Sequence, residues 1–261
     1  MLAAVWQFRH FIVSSIWNEF RLRFIRSRMG GLWGIINPLM QVAIFAFILS
    51  HLMASKLPGI NNPYAYAIYL MSGTLAWNLF AESIQRSLNL FIDNGNLLKK
   101  IAFPRISLPL IVGGGVLLNN MLLLIATVTI FLLLGHVPGV QILWLPVLTL
   151  LALALGMGTG LVLGILNVFL RDVGQIVPIA LQFLYWFTPV VYMAHIIPEH
   201  YRQWLVFNPM YAIVEAYHNI LVFNQPPALL GLVLVSLLTV LLLALAFKLF
   251  RKASPEMVDM L

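Results

Sequence analysis

The chain has 261 residues, of which 62% are hydrophobic and only 9% are charged, and its formal net charge is +7. Roughly a quarter of the residues in a soluble domain are charged. This chain cannot cover a water-facing surface, so its composition indicates an integral membrane protein. The lack of cysteine excludes disulfide bonds and thiolate metal sites. The first residues lack the apolar core and cleavage site of a signal peptide, and we expect the first membrane helix to direct insertion.

Taken in chain order, six hydrophobic runs have the length of helices that cross a bilayer, for which about 20 apolar residues are needed. They lie at about 32–54, 64–86, 106–134, 141–169, 174–193 and 227–248. Segments with Pro or Gly separate runs at 56–59, 135–139 and 225–227. The pattern predicts an all-α membrane protein with about six transmembrane helices in a domain at 32–250, followed by a cytoplasmic tail at 251–261.

The distribution of Lys and Arg predicts the orientation of these helices, because both residues concentrate in cytoplasmic segments. With the amino terminus in the cytoplasm, thirteen of the 15 Lys and Arg residues fall on the cytoplasmic side, and only Lys56 and Arg202 fall outside. Both termini are therefore expected in the cytoplasm. This topology, together with anionic lipid headgroups, accounts for the net charge without nucleic acid as a partner.

Two segments are expected to lie at the membrane without crossing it. Segment 1–31 has apolar residues at i+4 spacing, Ile16, Phe20 and Phe24, beside several arginines. This pattern predicts an amphipathic helix in the cytoplasmic interface; the alternative is a plain cationic flank of the first membrane helix. On the outside, segment 194–225 is too polar to span and too aromatic for a free loop. It is predicted to form short re-entrant helices whose backbone groups are satisfied within the protein.

The sequence offers little of what catalysis needs. Its 8 carboxylates lie mostly at predicted membrane edges or in tails. Arg171 and Asp172 are expected to form a local ion pair or a helix cap at a turn. His195 and His200 lack the spacing of a metal site, and no GxxxxGK[ST] phosphate-binding loop occurs. We therefore predict no catalytic residue, no metal site and no cofactor in this chain.

Polar residues within the predicted spans are mostly amides, which favours helix packing over ion-driven transport, since ion-driven carriers keep ionisable groups at membrane depth. Glu82 precedes Arg86 by four residues near the end of the second span, and this spacing predicts an ion pair on one helix. Glycines at 113–115 and in the series 156, 158, 160 and 164 predict close helix contacts. The amides are Asn119, Asn120, Gln175 and Gln182.

Five motifs stand in a specific order along the chain. They are RLRFIRSRMGGLWGIINPL at 21–39, LLKKIAFPR at 97–105, NVFLRDV at 167–173, TPVVY at 188–192 and NPMYAIVE at 208–215. Together they resemble the membrane subunit of bacterial ABC exporters for polysaccharides, most of all the O-antigen exporter permease, with teichoic acid and capsule permeases as relatives. One position departs from the family pattern, because His218 follows Tyr217 where an Arg is common.

The resemblance implies a homodimer in the bacterial inner membrane that works with two copies of a separate ABC ATPase. ATP and Mg²⁺ would be bound by that partner, and the substrate would be a lipid-linked polysaccharide. The loop at 93–105 would contact the ATPase, with the amphipathic helix as a second contact; the alternative for the cations is a positive-inside flank. The implied contact residues are Asp93, Lys99, Lys100, Phe103, Pro104, Arg105, Arg21, Arg23 and Arg26.

A passage for a polymer rich in hydroxyl groups is expected to be lined by aromatic rings, which offer flat apolar faces. At 100° per residue Phe183, Trp186 and Phe187 share one sector of the fifth span, with Tyr185 elsewhere. Packing within the protein, or a belt at the headgroups for Tyr192 and Trp204, is the alternative. The predicted channel residues are Trp33, Phe45, Phe183, Trp186, Phe187 and Tyr192, and the predicted outer gate residues are Tyr201, Trp204, Tyr211, Glu215 and His218.

Two other functional classes stay open at this point. One is a polytopic membrane enzyme of lipid-linked glycan assembly, for which the outer segment has few acids and arginines. The other is an ABC permease that exports a drug or a lipid. The sequence does not separate O-antigen from teichoic acid or capsule cargo.

Overall fold

The computed structural model describes residues 8–25, 29, 32–53, 64–95 and 107–260. Within these ranges the chain is helical and contains no β-strand. The main helices are α1 (Arg9–Ile25), α2 (Trp33–Met53), α3 (Ala65–Asp93), α4 (Ser107–Leu133), α5 (Leu145–Phe169), α6 (Val173–Phe187), α7 (Pro209–Leu221) and α8 (Leu229–Met260). A 3-10 turn at Val140–Trp144 leads into α5, and the short turns Ala194–Ile196, Glu199–Arg202 and Gln203–Phe207 join α6 to α7. The all-α prediction is confirmed.

Three of the described helices are long and apolar enough to cross a membrane, at Ser107–Leu133, Val140–Phe169 and Leu229–Ala253. Ile35–Ile44 and Val173–Phe187 are shorter apolar helices. The count of six spans and the re-entrant position of the outer helices stay predictions.

Two boundaries predicted from the sequence need correction. The fifth run was expected to reach 193, but α6 ends at Phe187, because Pro189 has no backbone N–H for a further helical bond. The second run was expected to end near 86, but α3 continues to Asp93. Glu82 and Arg86 consequently lie inside α3 and not at its end.

Helix α3 occupies the middle of the bundle, where α2, α4, α5, α6 and α7 contact it. It contains more polar residues than a helix surrounded by lipid would carry, and protein replaces lipid around it. The hydroxyls of Ser72, Thr74 and Ser83 donate to the carbonyl oxygens of Ile68, Leu70 and Leu79 on the preceding turn. These bonds satisfy the buried hydroxyls without any partner from another helix.

Glycines on α5 bring its backbone against α3. A Cβ atom added at Gly156 would lie 2.6 Å from the Cβ of Ser83, and one at Gly160 would lie 2.8 Å from the Cα of Ile84. Such separations are shorter than real Cβ contacts allow. The prediction of close helix contacts at this glycine series is confirmed, and the series explains why α3 and α5 form the most extensive helix pair in the bundle.

Helix α1 packs on α4 through the face that carries Ile12, which is buried, and Ile16. The lack of a side chain at Gly114 leaves room for Ile16, since a Cβ at Gly114 would collide with the Ile16 side chain. Phe11 and Trp17 point away from the bundle and are exposed. The buried face of α1 therefore turns toward the protein, and its exposed aromatic residues are left for the membrane interface that the sequence predicts.

We expect Gly160→Ala to destabilise the protein by about 1–3 kcal/mol, since the added methyl group overpacks the contact with Ile84. The thermal midpoint of the protein purified in detergent measures this loss. Gly113→Ala is the matched control, because its Cβ would meet the Cε of Met157 at 3.6 Å, an ordinary contact. Equal midpoints for the two variants would contradict the close-contact interpretation.

Candidate functional site

Aromatic side chains from the end of α6 and from the turns that follow it form one cleft of about 640 Å³, here called the aromatic cleft. The rings that line it are Trp186, Phe187, Tyr192, Tyr201, Trp204 and Phe207. Three of these were predicted as channel residues and two as gate residues, and the structure brings all five together. Phe207 is an aromatic residue of the outer segment that was not among the predicted site residues, and the structure adds it to the cleft.

Hydrogen bonds fix the frame of the aromatic cleft. The side-chain amide of Asn208 donates to the hydroxyl oxygen of Thr188 at 2.8 Å, and its carbonyl oxygen caps α7 by accepting from the N–H of Met210. The hydroxyl of Tyr192 donates to the carbonyl oxygen of Trp186 at 2.8 Å. The carboxyl end of α6 and the amino end of α7 are thus tied to each other at the mouth of the cleft.

The face of α6 that leads to the aromatic cleft is exposed along its length. Phe183, Trp186 and Phe187 are 64%, 53% and 65% exposed, whereas Tyr185 is 8% exposed. Packing within the subunit therefore does not account for the three exposed rings. Gln182 is exposed on the same face. An amide that faces hydrocarbon loses its hydrogen bonds with water at a cost of several kcal/mol, so this face is unsuited to lipid.

The predicted gate residues Tyr211, Glu215 and His218 share a face of α7, as the helical spacing indicated, and line a separate cavity of about 150 Å³. The hydroxyl of Tyr211 donates to a carboxylate oxygen of Glu215 at 3.0 Å. Because burial raises the pKa of Tyr211 to about 12, this phenol keeps its proton at neutral pH. The cavity is distinct from the aromatic cleft, so the predicted gate residues fall into two groups.

His218 is buried between α7 and α3. Its ring stacks on Tyr69 with the ring centroids 3.7 Å apart, and its Nε2 lies 3.1 Å from the backbone oxygen of Tyr69. Gly73 leaves the room for this ring, because a Cβ there would lie 2.7 Å from Nε2. Burial lowers the pKa of His218 to about 3. The imidazole is therefore neutral and donates its Nε2 proton, and it offers no cation at the position where relatives are expected to carry one.

A charged network joins α1 to α3 and α4. Arg86 binds the carboxylate of Glu19 on α1 and lies 3.6 Å from the carboxylate of Glu82. The amide of Asn119 donates to Glu82 at 2.8 Å. Gly115 gives Arg86 its room, since a Cβ there would lie 3.0 Å from a guanidinium nitrogen. The predicted Glu82–Arg86 pair is confirmed, and Glu19 is a partner that no local spacing could reveal.

Two further cavities with amide side chains in their walls lie between α2, α3, α4 and α6. The first amide cavity has a volume of about 380 Å³, and the second has about 390 Å³. Trp33, a predicted channel residue that is 48% exposed, lines the first. Trp186 lines the second and also the aromatic cleft. The two amide cavities also share Gln41, Asn78 and Gln85 in their walls.

Most residues of the amide cavities escaped the sequence analysis. Asn37 and Gln41 are four residues apart on α2, and Asn78 and Gln85 are seven apart on α3. These are spacings at which helical residues share a face. A search for amides at helical spacing in every span would have found the cavity walls from the sequence.

The other predicted site residues are distributed as follows. Arg21 and Asp93 are exposed, at α1 and at the last residue of α3. Arg23 lies within α1, and Phe45 lies within α2. Asp172 precedes α6 without a side-chain capping bond, so the predicted cap is not formed. The residues that lie outside the described ranges are Arg26, Lys99, Lys100, Phe103, Pro104 and Arg105.

The part of the chain that the structure describes holds no group of three His, Asp or Glu side chains that could bind a metal ion. The features available for function are therefore the aromatic cleft, the amide cavities and the charged network. The aromatic cleft and the amide cavities are hollows with room for a molecule, whereas the charged network joins helices to one another.

Comparison with known proteins places this architecture in a family. Residues 11–222 match the family described as ABC-2 type transporter. The chain belongs to this family of transporter membrane proteins, and the resemblance inferred from the five motifs is confirmed.

Three relatives illustrate the likeness. The chain is 27% identical over 207 residues to the "O-antigen export system permease protein RfbA" of Klebsiella pneumoniae, covering 78% of this chain and 76% of that protein. A protein of the same name from Myxococcus xanthus is 25% identical over 265 residues, covering 99% and 98%. The "Polysialic acid transport protein KpsM" of Escherichia coli is 26% identical over 203 residues, covering 76% of each.

We expect His218 to make the folded protein sensitive to acid. Its pKa is lowered from 6.5 to about 3 in the folded state, so the unfolded chain takes up the proton first as the pH falls. The stabilising contribution is present above pH 6.5 and is lost as the pH falls toward 3, by about 1.4 kcal/mol per pH unit. Between pH 7 and 5, the thermal midpoint should fall less in His218→Gln than in the wild type.

His200→Gln is the control for this measurement, because His200 belongs to the same outer segment and is exposed. Its midpoint should fall between pH 7 and 5 as far as that of the wild type. If His218→Gln also shows the wild-type fall, protonation of His218 does not limit the acid stability.

Proposed function

We propose that the protein is the permease subunit of an ABC exporter that moves a lipid-linked polysaccharide of the O-antigen type from the cytoplasm to the outer face of the bacterial inner membrane. Two copies would form the passage, and two copies of a separate ATPase would drive it. The observation that carries this proposal is the exposed aromatic face of α6, which continues into the aromatic cleft. The names of the relatives agree with it.

The chemistry of this face suits a sugar polymer. Aromatic rings offer flat apolar faces against which the C–H faces of sugar rings stack. Stacking of this kind binds each unit weakly, and a polymer that must keep moving needs weak contacts at many places. Among the residues that the structure describes, those that line the aromatic cleft include no Lys, Arg, Asp or Glu. The cleft is therefore suited to uncharged sugar units.

The same face supports the proposed dimer. Gln182 lies among the exposed rings of α6, and an amide at membrane depth favours a protein partner or a water-filled passage over lipid. A second copy related by a two-fold axis would place its own α6 opposite this one. The passage would then lie between the subunits, with the aromatic face on both sides.

The energy for transport would have to come from ATP hydrolysis by a partner subunit, because the sequence has no phosphate-binding loop. Helix α1 would carry mechanical coupling, since Glu19 links it to Arg86 in the carboxyl-terminal third of α3. Contact of 93–105 with the ATPase, and the cytoplasmic position of both termini, belong to the same proposal and rest on the family resemblance and on the Lys and Arg distribution.

The first test is purification of the tagged permease in mild detergent from its native host. We expect an ATPase with a phosphate-binding loop to co-purify in equal amount, and the variant Lys99→Ala/Lys100→Ala/Arg105→Ala to lose that ATPase and polymer export while membrane insertion is retained. Arg171→Ala, at an exposed turn after α5, is the control cation. An active permease without any ATPase would favour the membrane-enzyme alternative; normal export by the triple variant would reject the coupling loop.

Replacing a ring of the aromatic cleft should slow export without unfolding the protein. Trp204 is 64% exposed, so Trp204→Ala removes little packing. One aromatic contact is worth about 0.5–1.5 kcal/mol, which corresponds to about a two- to twelvefold loss of export rate. Cell-surface polysaccharide in a strain that lacks the native permease measures the rate.

Two variants control the aromatic-cleft experiment. Trp144→Ala alters an exposed Trp at the start of α5, outside the cleft, and should export normally. Trp204→Phe keeps a ring and should recover most of the rate. Equal export by Trp204→Ala and Trp144→Ala would show that the ring of Trp204 does not contact the substrate.

A further inference from the structure

One further cavity, of about 190 Å³ and here called the α8 cavity, shares no lining residue with the aromatic cleft or the amide cavities. Its walls come from α3, α4, α5 and α8, and every described residue that lines it is apolar. Helix α5 packs along α8, whereas the described parts of α4 and α8 scarcely touch each other. The α8 cavity therefore occupies a gap between α4 and α8, with α3 and α5 behind it.

The α8 side of this cavity is open to its surroundings. Leu243, Ala246, Phe247 and Phe250 line it from one face of α8, since they stand three and four residues apart. Phe250 stacks on the buried ring of Phe91, with the ring centroids 5.6 Å apart. Leu243 and Phe247, by contrast, are 37% and 41% exposed. These two side chains form the rim past which a ligand can enter.

The α8 cavity lies near the carboxyl end of the membrane-spanning part of α8. The helix is long and apolar enough to cross a membrane over Leu229–Ala253. Phe247 lies about 27 Å along the helix axis from Leu229, and the hydrocarbon core of a bilayer is about 30 Å thick. The cavity is thus at the depth of lipid acyl chains, and the next turn of α8 is at the level of the headgroups.

A cation lies beside the rim at this headgroup level. The Cζ atom of Arg251 is 5.8 Å from the centroid of the Phe247 ring, within the range of a cation–π contact. Arg251 is exposed and has no carboxylate partner among the residues that the structure describes. Its guanidinium group is therefore available to an anion at the mouth of the cavity.

The other cations of this turn point elsewhere. Lys248 and Lys252 are exposed, but around the helix Lys252 is about 140° from Phe247, whereas Arg251 is only about 40° from it. The two lysines do not border the cavity, although they add to the positive potential at this level. Such a potential attracts anionic lipids more than zwitterionic ones.

Apolar walls with a cation at their mouth match the two parts of a phospholipid. An acyl chain in the gap supplies the dispersion contacts that the walls of an empty cavity lack, and a phosphate group pairs with a guanidinium group. We propose that the α8 cavity binds an anionic phospholipid, with an acyl chain between α4 and α8 and the phosphate on Arg251. The bound lipid joins α4 to α8. This site is separate from the proposed path of the polysaccharide.

Native mass spectrometry of the full-length protein in detergent, titrated with phosphatidylglycerol, tests the site. We expect Arg251→Ala to weaken binding about fivefold or more, the effect of one cation beside an anionic headgroup. The matched control is Lys252→Ala, which removes the same charge one residue away and should weaken binding less than about twofold. Both variants should keep the wild-type thermal midpoint in lipid-free detergent, since both side chains are exposed.

Two outcomes of this titration would overturn the proposal. Equal losses in Arg251→Ala and Lys252→Ala would show that a diffuse positive flank attracts the lipid and that Arg251 has no special contact. Phosphatidylethanolamine bound as tightly as phosphatidylglycerol would show that the site does not select an anionic headgroup.

Photo-crosslinking locates the acyl chain. After detergent washes that remove loosely held lipid, the variant Phe247→benzoylphenylalanine should form an adduct with phosphatidylglycerol. The control is Leu241→benzoylphenylalanine, because Leu241 is 64% exposed and points away from the cavity face of α8; it should form no adduct. Adducts at Phe247 with a second copy of the chain or with another protein, and none with lipid, would overturn the proposal. None of these readouts requires export, so they are independent of the proposed function.

Discussion

The close contact between α3 and α5 is the constraint on which the rest of the structure depends. Glycines of α5 bring its backbone so near to α3 that even one added carbon atom would clash at Gly156 and Gly160. With α5 on one side and α2, α4, α6 and α7 around the remainder, α3 is shielded from lipid. A helix in this position can carry polar residues that a helix in contact with lipid could not.

The polar residues of α3 then divide into two groups by their partners. Ser72, Thr74 and Ser83 bond to their own helix. Arg86 and Glu82 bond across to α1 and α4. The contacts of the second group fix the positions of α1 and α4 against α3. The side-chain nitrogen of Asn78 is buried and makes no hydrogen bond within the described residues.

The outer segment likewise contains residues that hold it on the bundle and other residues that stay exposed. His218, stacked on Tyr69 and neutral, joins α7 to α3 and holds the outer segment on the bundle. The aromatic cleft, framed by Asn208 and Thr188, is lined by other residues than the His218 cavity, and most of its rings are exposed. The anchor of the outer segment and its exposed aromatic surface are thus formed by different residues of one segment.

The sequence by itself determined the membrane class, the helical fold, the family and the shared face of Phe183, Trp186 and Phe187, because hydropathy, helical spacing and ordered motifs are local properties of a chain. It also indicated the Glu82–Arg86 pair and the glycine contacts, which depend on spacing within one helix. Only the tertiary structure decided that Glu19 completes the ion pair, and that Tyr201 and Trp204 join Trp186 in one cleft while His218 is buried elsewhere. Each of these depends on which residues meet across helices far apart in the chain, and no local pattern of residues encodes that distance.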